Sequence, residues 1–140
     1  MAAETGLVLT KGRITPRLYV YKIVWISVEA SPEIDFEETL GGTDVRIFSV
    51  VTIPDAVDTP TTGYDVDLWD QGEYDVFGGK VTGCSDTDTE RWDVYEGSDG
   101  QEWPPLLNVA DGYGSLKLAD TGGAADPDEV SGTILIYTSK

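Results

Sequence analysis

Hydrophobic and polar positions alternate most strictly between Tyr64 and Gly79. Tyr64, Val66 and Leu68 share one parity and Asp65 and Asp67 the other, the pattern of a strand with one buried face. Asp70-Gln71-Gly72-Glu73 interrupts that pattern with turn chemistry, Gly72 being free to adopt positive φ. Tyr74, Val76 and Phe77 resume an extended pattern, and Gly78-Gly79 ends it. The stretch predicts a β-hairpin.

The segment from Arg17 to Val28 is the most apolar of the chain and is apolar on both parities. Its β-branched and aromatic residues predict a long strand buried on both faces, with a buried helix as the competing reading. Leu7-Val8-Leu9 is a short apolar run, and Lys11-Gly12-Arg13 after it reads as a turn. Between Ser31 and Leu40, Ile34 and Phe36 alternate with Glu33, Asp35 and Glu37, which favours a half-exposed strand over a short helix capped by Ser31. Gly41-Gly42 reads as a turn, followed by a strand over 45–53 with Val45, Ile47, Val51 and Ile53 on one face. Weak alternation over 89–95 pairs Trp92 with Val94, and Trp103-Pro104-Pro105 excludes regular structure locally. Leu106 and Leu107 pin that loop to the core, and 113–118 and 134–137 are the last two strands. The expected fold class is all-β: a β-sandwich, jelly-roll or Ig-like, of about seven or eight antiparallel strands with little or no helix.

The chain's 140 residues fit one domain over 7–140, preceded by a flexible tail of residues 1–6 and carrying an acidic, loop-rich insertion near 84–105. The formal charge of −17 changes the functional picture most. So acidic a surface argues against nucleic acid or an anionic membrane as partner. Residues 1–6 lack the basic and apolar regions of a signal peptide, and no apolar run reaches the length of a membrane span. Cys84 is the single cysteine, so no intrachain disulfide forms, and without histidine nothing activates its thiol as a nucleophile.

Missing histidine also removes the usual general base and imidazole ligand, and no phosphate-binding loop, dinucleotide fingerprint or zinc spacing is present. No enzymatic activity is expected. Calcium is the one cofactor left open. Asp65, Asp67, Asp70, Glu73 and Asp75 fall in one short span, as do Asp93, Glu96, Asp99 and Glu102, and the tract 120–129 is comparable. None has the spacing of an EF-hand. Trp69, Trp92 and Trp103 adjoin turns and suit sugar stacking, though packing is the commoner role for tryptophan.

A contacting surface on so acidic a chain should be its least acidic part, where apolar burial outweighs screened repulsion. Residues 7–26 hold no acid at all. The candidate interface residues are therefore Lys11, Arg13, Arg17, Tyr19, Tyr21 and Lys22, with part of this segment serving as an edge or arm.

Val51-Thr52-Ile53-Pro54, followed by Pro60-Thr61-Thr62-Gly63 and the Tyr64–Gly79 hairpin, resembles a recurring pattern in small virion proteins of tailed bacteriophages. Gly114-Ser115-Leu116-Lys117-Leu118 and Gly132-Thr133-Ile134-Leu135-Ile136-Tyr137 are similar to that group's last two strands, and Trp25 in a long early strand fits as well. The likeness spans roughly residues 18–79 and 106–137; the acidic insertion departs from it. The resemblance implies a non-enzymatic β-sandwich made in the host cytoplasm and built into the virion. It implies a capsid decoration (cement) protein first, and a tail, neck or adaptor component second. Its expected partners are the major capsid protein or other virion proteins and its own copies, as a trimer or dimer. From a different class, a carbohydrate- or calcium-binding module is the alternative.

Overall fold

The computed structural model describes residues 5–94, 104–110, 112–122 and 129–139. In chain order the strands among them are β1 (Gly6–Thr15), β2 (Leu18–Ser27), β3 (Glu33–Asp35), β4 (Leu40–Pro54), β5 (Asp65–Trp69), β6 (Glu90–Trp92), β7 (Leu106–Val109), β8 (Ser115–Ala119) and β9 (Val130–Ser139). They form a β-sandwich of two sheets with every ladder antiparallel. The larger sheet runs β1-β2-β9-β4-β6, with β7 paired to the start of β4; the smaller runs β3-β8-β5. Among the described residues β1 is one edge of the larger sheet, the short β6 and β7 bounding its other side, and β3 and β5 are the edges of the smaller. β1 begins at Gly6, and Thr5 Oγ1 accepts a hydrogen bond from Val28 N at 3.0 Å, so these two residues of the expected tail 1–6 are tied to the sheet; residues 1–4 lie outside the described residues.

One core fills the space between the sheets. Tyr21, Ile23 and Trp25 of β2, with Ile134 and Ile136 of β9, meet Val66 and Leu68 of β5 and Leu116 and Leu118 of β8. Phe36, Tyr64 and Phe77 close its margins, and the Trp25 and Tyr64 rings lie tilted with centroids 5.8 Å apart. Opposite Trp25 in the β2–β9 register stands Gly132. A Cβ there would lie 2.8 Å from Trp25 Cζ2, so the missing side chain is what lets the indole lie flat against β9.

β2 is not buried on both faces. Its odd positions from Tyr21 onward are, but Val20 and Val24 are half-buried and Lys22 and Ile26 exposed, because no layer among the described residues covers the sheet's other side. Lys11-Gly12-Arg13 is not a turn: β1 continues to Thr15, and the chain reverses at Pro16-Arg17. Nor does Gly41-Gly42 turn. Gly41, at φ 75°, lets β4 pass so close to β7 that a Cβ would fall 1.8 Å from Leu107 O.

The parity of β4 also changes midway. A register shift between Ile47 and Ser49 keeps Val45 and Ile47 on the core face but turns Val51 and Ile53 outward, so that Val50 and Thr52 face in. Such a bulge is invisible to a period-two pattern.

Tyr64, Val66 and Leu68 are buried, as the alternation predicts. The reversal after them is tight: Asp70 N donates to Tyr74 O at 3.0 Å and Val76 N to Leu68 O at 2.8 Å. The returning chain makes isolated bridges rather than a ladder, Trp69–Asp75 and Tyr64–Cys84, and the ladder partner of β5 is the distant β8. Glu73, not Gly72, takes the left-handed conformation, at φ 59°. β3 is a strand rather than a helix, with Ile34 and Phe36 buried and Glu33, Asp35 and Glu37 exposed. β7 makes Leu107 a core residue and leaves Leu106 exposed.

Candidate docking surface

Antiparallel partners carry their side chains on the same face, so the register assigns the outer face of the larger sheet residue by residue. β2 contributes Val20, Lys22, Val24 and Ile26, and β1 contributes Val8, Thr10 and Gly12 opposite them. β9 adds Thr133, Leu135 and Tyr137, β4 adds Ile53 and, at outward positions that are themselves buried, Ser49 and Val51, and β6 adds Arg91. The Phe48 ring joins them, 6.2 Å from that of Tyr137, and the Arg91 guanidinium lies 5.9 Å from the Tyr137 centroid. Val8 is 65% exposed and Ile26 38%. The outward positions of this register hold cations at Lys22, Arg46 and Arg91 and not one carboxylate. On a chain carrying 26 acidic residues, such a face is a concentrated exception.

The six candidate interface residues divide. Lys22 belongs to this face, while Lys11, Arg13 and Arg17 are exposed along the free edge and at the hairpin tip. Tyr21 is a core residue whose hydroxyl accepts a hydrogen bond from Gly41 N at 3.1 Å. Tyr19 is half-buried beneath the Lys11 ammonium, 4.7 Å from the ring centroid. Sequence reading missed the apolar members of the outer face on β4 and β9. Its available signal was the double-parity apolar run of β2.

Beside that edge lies a groove of about 520 Å³ between β1 and β3. Leu7, Leu9, Ile34 and Phe36 line it, and Glu33, Asp35, Glu37 and Glu38 rim it.

Comparison with known protein families, with curated proteins and with solved structures finds no match. The reading of the surface rests on its own chemistry.

The other sequence candidates have local roles. Asp70 Oδ1 accepts from Gly72 N at 2.8 Å and Tyr74 N at 3.1 Å. Asp75 Oδ1 accepts from Leu68 N and Phe77 N, both at 3.0 Å, and its Oδ2 from Gly79 N at 2.8 Å. These are turn contacts, in which the carboxylates take backbone donors that the chain reversal leaves without carbonyl partners. Asp65 and Asp67 are half-buried rather than fully solvated, because the chain after the reversal folds back over them. Asp65 Oδ1 accepts from Thr82 Oγ1 at 2.6 Å and Gly83 N at 2.9 Å. The Asp67 carboxyl is held above its ordinary range, first by burial and then by the negative charge of Asp75.

Among the described residues no group of three or more acidic, cysteine or histidine side chains is arranged to hold a metal ion. Of the other two acidic candidates, Asp93, Asp120 and Glu129 are described, and Glu96, Asp99, Glu102 and residues 123–128 lie outside the described residues. Trp103 also lies outside them; Trp92 Nε1 donates to Thr52 Oγ1 at 2.9 Å, and the Lys117 ammonium sits 3.9 Å above the Trp69 ring. Cys84 is buried, and burial pushes its thiol up to about 12.

Proposed function

We propose that this chain is a non-enzymatic structural protein of a tailed-phage virion, a capsid decoration protein that cements the head shell through the outer face of its larger sheet. The observation that carries the reading is the acid-free, apolar outer face on a chain of charge −17. Four neighbouring strands at about 4.8 Å spacing and about 33 Å length present about 600 Å². That approaches one partner's share of a standard protein interface, about 800 Å². Acidic surface elsewhere orients the molecule, so that the apolar and basic face meets the shell and the carboxylates face solvent. The resemblance to small virion proteins supports the same reading. Stabilisation follows from mass action: a protein that binds only assembled subunits shifts their equilibrium towards the shell.

The test uses shells of the encoding phage stripped of this chain. Wild-type protein should saturate them and raise their rupture temperature. Val24→Asp, which sets a carboxylate on the outer face without touching the core, should fold normally and fail to bind. Val24→Asp binding as well as wild type would overturn the assignment of the face. Wild-type binding to tails and not heads would overturn decoration in favour of a tail component, and binding to neither would overturn the virion reading.

A further inference from the structure

The free edge of the larger sheet is long, and its two ends differ in charge. β1 pairs with β2 along one side, and no strand among the described residues pairs with its other side. At its far end the hairpin tip carries Arg13 and Arg17, both exposed, with Ile14 52% exposed between them. At its near end the groove against β3 is rimmed by Glu33, Asp35, Glu37 and Glu38. The groove's lining runs along β1 to Leu9, and the residues from Leu7 to Arg13, at about 3.3 Å each, hold the basic tip about 20 Å from the groove's middle. A molecule therefore cannot bring its own tip to its own groove.

A second copy can. Antiparallel alignment of two β1 strands about a two-fold axis sets each basic tip over the other molecule's acidic groove, making both contacts at once. We infer that the chain forms a two-fold dimer by β1–β1 pairing, which joins the larger sheets of two copies into one continuous sheet. The surface is self-complementary, as a two-fold contact requires.

Side-chain parity fixes the register. A continuous sheet sets core-side residues opposite core-side residues, so the paired residue numbers sum to an even value. Centring the axis on Lys11 would set that ammonium against its own copy, an unfavourable like-charge pair. Centring on Thr10 avoids this. It sets Val8 opposite Gly12, giving the exposed valine room, and Leu7 opposite Arg13. Leu7 lines the groove, so the partner's Arg13 arrives beside Glu33, Asp35 and Glu37. The basic residues along β1, which by themselves would discourage edge pairing, become the determinants of one register. The inference is independent of what the outer face binds, and its test needs only the purified protein, so either can fail alone.

Thr10→Cys places one thiol on the proposed axis, where facing Cα atoms of an antiparallel pair lie about 4.5–5.5 Å apart, within disulfide reach. Cys84, buried with its thiol pushed up to about 12, does not compete. Thr10→Cys should oxidise quantitatively to a covalent dimer that keeps the wild-type spectrum, and Lys11→Cys should do so poorly. By sedimentation, wild-type protein should be a dimer, and Arg13→Glu should weaken it about tenfold or more. Adding Glu37→Arg to Arg13→Glu should recover much of that loss. Wild-type protein that stays monomeric at high micromolar concentration, or that sediments as a trimer, would overturn the dimer. Faster crosslinking through Lys11→Cys than through Thr10→Cys would overturn the register.

Discussion

Gly132→Ala tests the packing logic of the core most directly. The added methyl would sit 2.8 Å from Trp25 Cζ2, 3.0 Å from Cε2 and 3.1 Å from Nε1, all atoms of a side chain with no exposed surface. The indole is rigid and enclosed by Tyr64 and the inner faces of both sheets, so relief requires either strand to move. Overpacking of this kind costs about 1–3 kcal/mol. Removing a glycine from the unfolded chain returns about 0.4–1 kcal/mol, leaving a net loss of about 1–2 kcal/mol. In a domain of this size that lowers Tm by about 3–7 °C.

A double-mutant cycle isolates the cause. Trp25→Phe removes the atoms that clash, and also a buried Nε1–H with no hydrogen-bond partner among the described residues. Gly132→Ala should therefore cost about 1 kcal/mol less in the Phe background than in the wild type, measured by urea unfolding. A stabilising Gly132→Ala, or two substitutions additive to within about 0.5 kcal/mol, would refute the steric account.

Leu68→Ala should cost about 2–5 kcal/mol in the same assay, since Leu68 is fully buried between the sheets, and a loss below about 0.5 kcal/mol would mean that its neighbours do not pack as described. Asp67 gives a pH signature. Its folded carboxyl titrates above the ordinary 3.8, so the native state binds the extra proton and this group's contribution falls as pH rises through the window above 3.8. Asp67→Asn should raise Tm at pH 7, with the advantage shrinking as pH is lowered through that window; a pH-independent difference would assign the effect to something other than ionisation. Chelator and added calcium should each leave Tm unchanged, because backbone donors already occupy Asp70 and Asp75; a calcium-dependent rise would revive the cation-binding alternative.

Legibility followed locality. Tyr64, Val66 and Leu68 showed their buried face in the sequence because a strand's parity is a property of the strand alone. The same rule misassigned Val51 and Ile53, because one bulged position after Ile47 inverts everything beyond it and leaves no compositional mark. Gly41-Gly42 read as a turn because paired glycines usually mean one, whereas here the positive φ of Gly41 admits Leu107, 66 residues later in the chain. The acid-free stretch over 7–26 was visible as composition. Its extension over β9 and β4 required knowing that these strands lie beside β2. The acidic rim on β3 and the basic tip were each visible too, but only the topology sets them at opposite ends of one edge.

The placement of β9 bears on how the chain is made. It lies between β2 and β4 and is hydrogen-bonded to both, although its contact with β2 spans 119 residues of sequence. During vectorial synthesis the β1–β2 hairpin emerges before β3 to β8 and waits for a neighbour that the ribosome adds after all of these described strands. Until then the larger sheet exists as two separate fragments with unsaturated inner margins. A long wait of this kind predicts slow folding dominated by a late zippering step. A nascent chain arrested before Val130 would expose the inner sides of β2 and β4 as templates for stray strands. Cells making this protein in quantity would meet that hazard in every incomplete chain, and fusion of a cargo directly after Ser139 would delay the rescuing strand less than an insertion just before Val130.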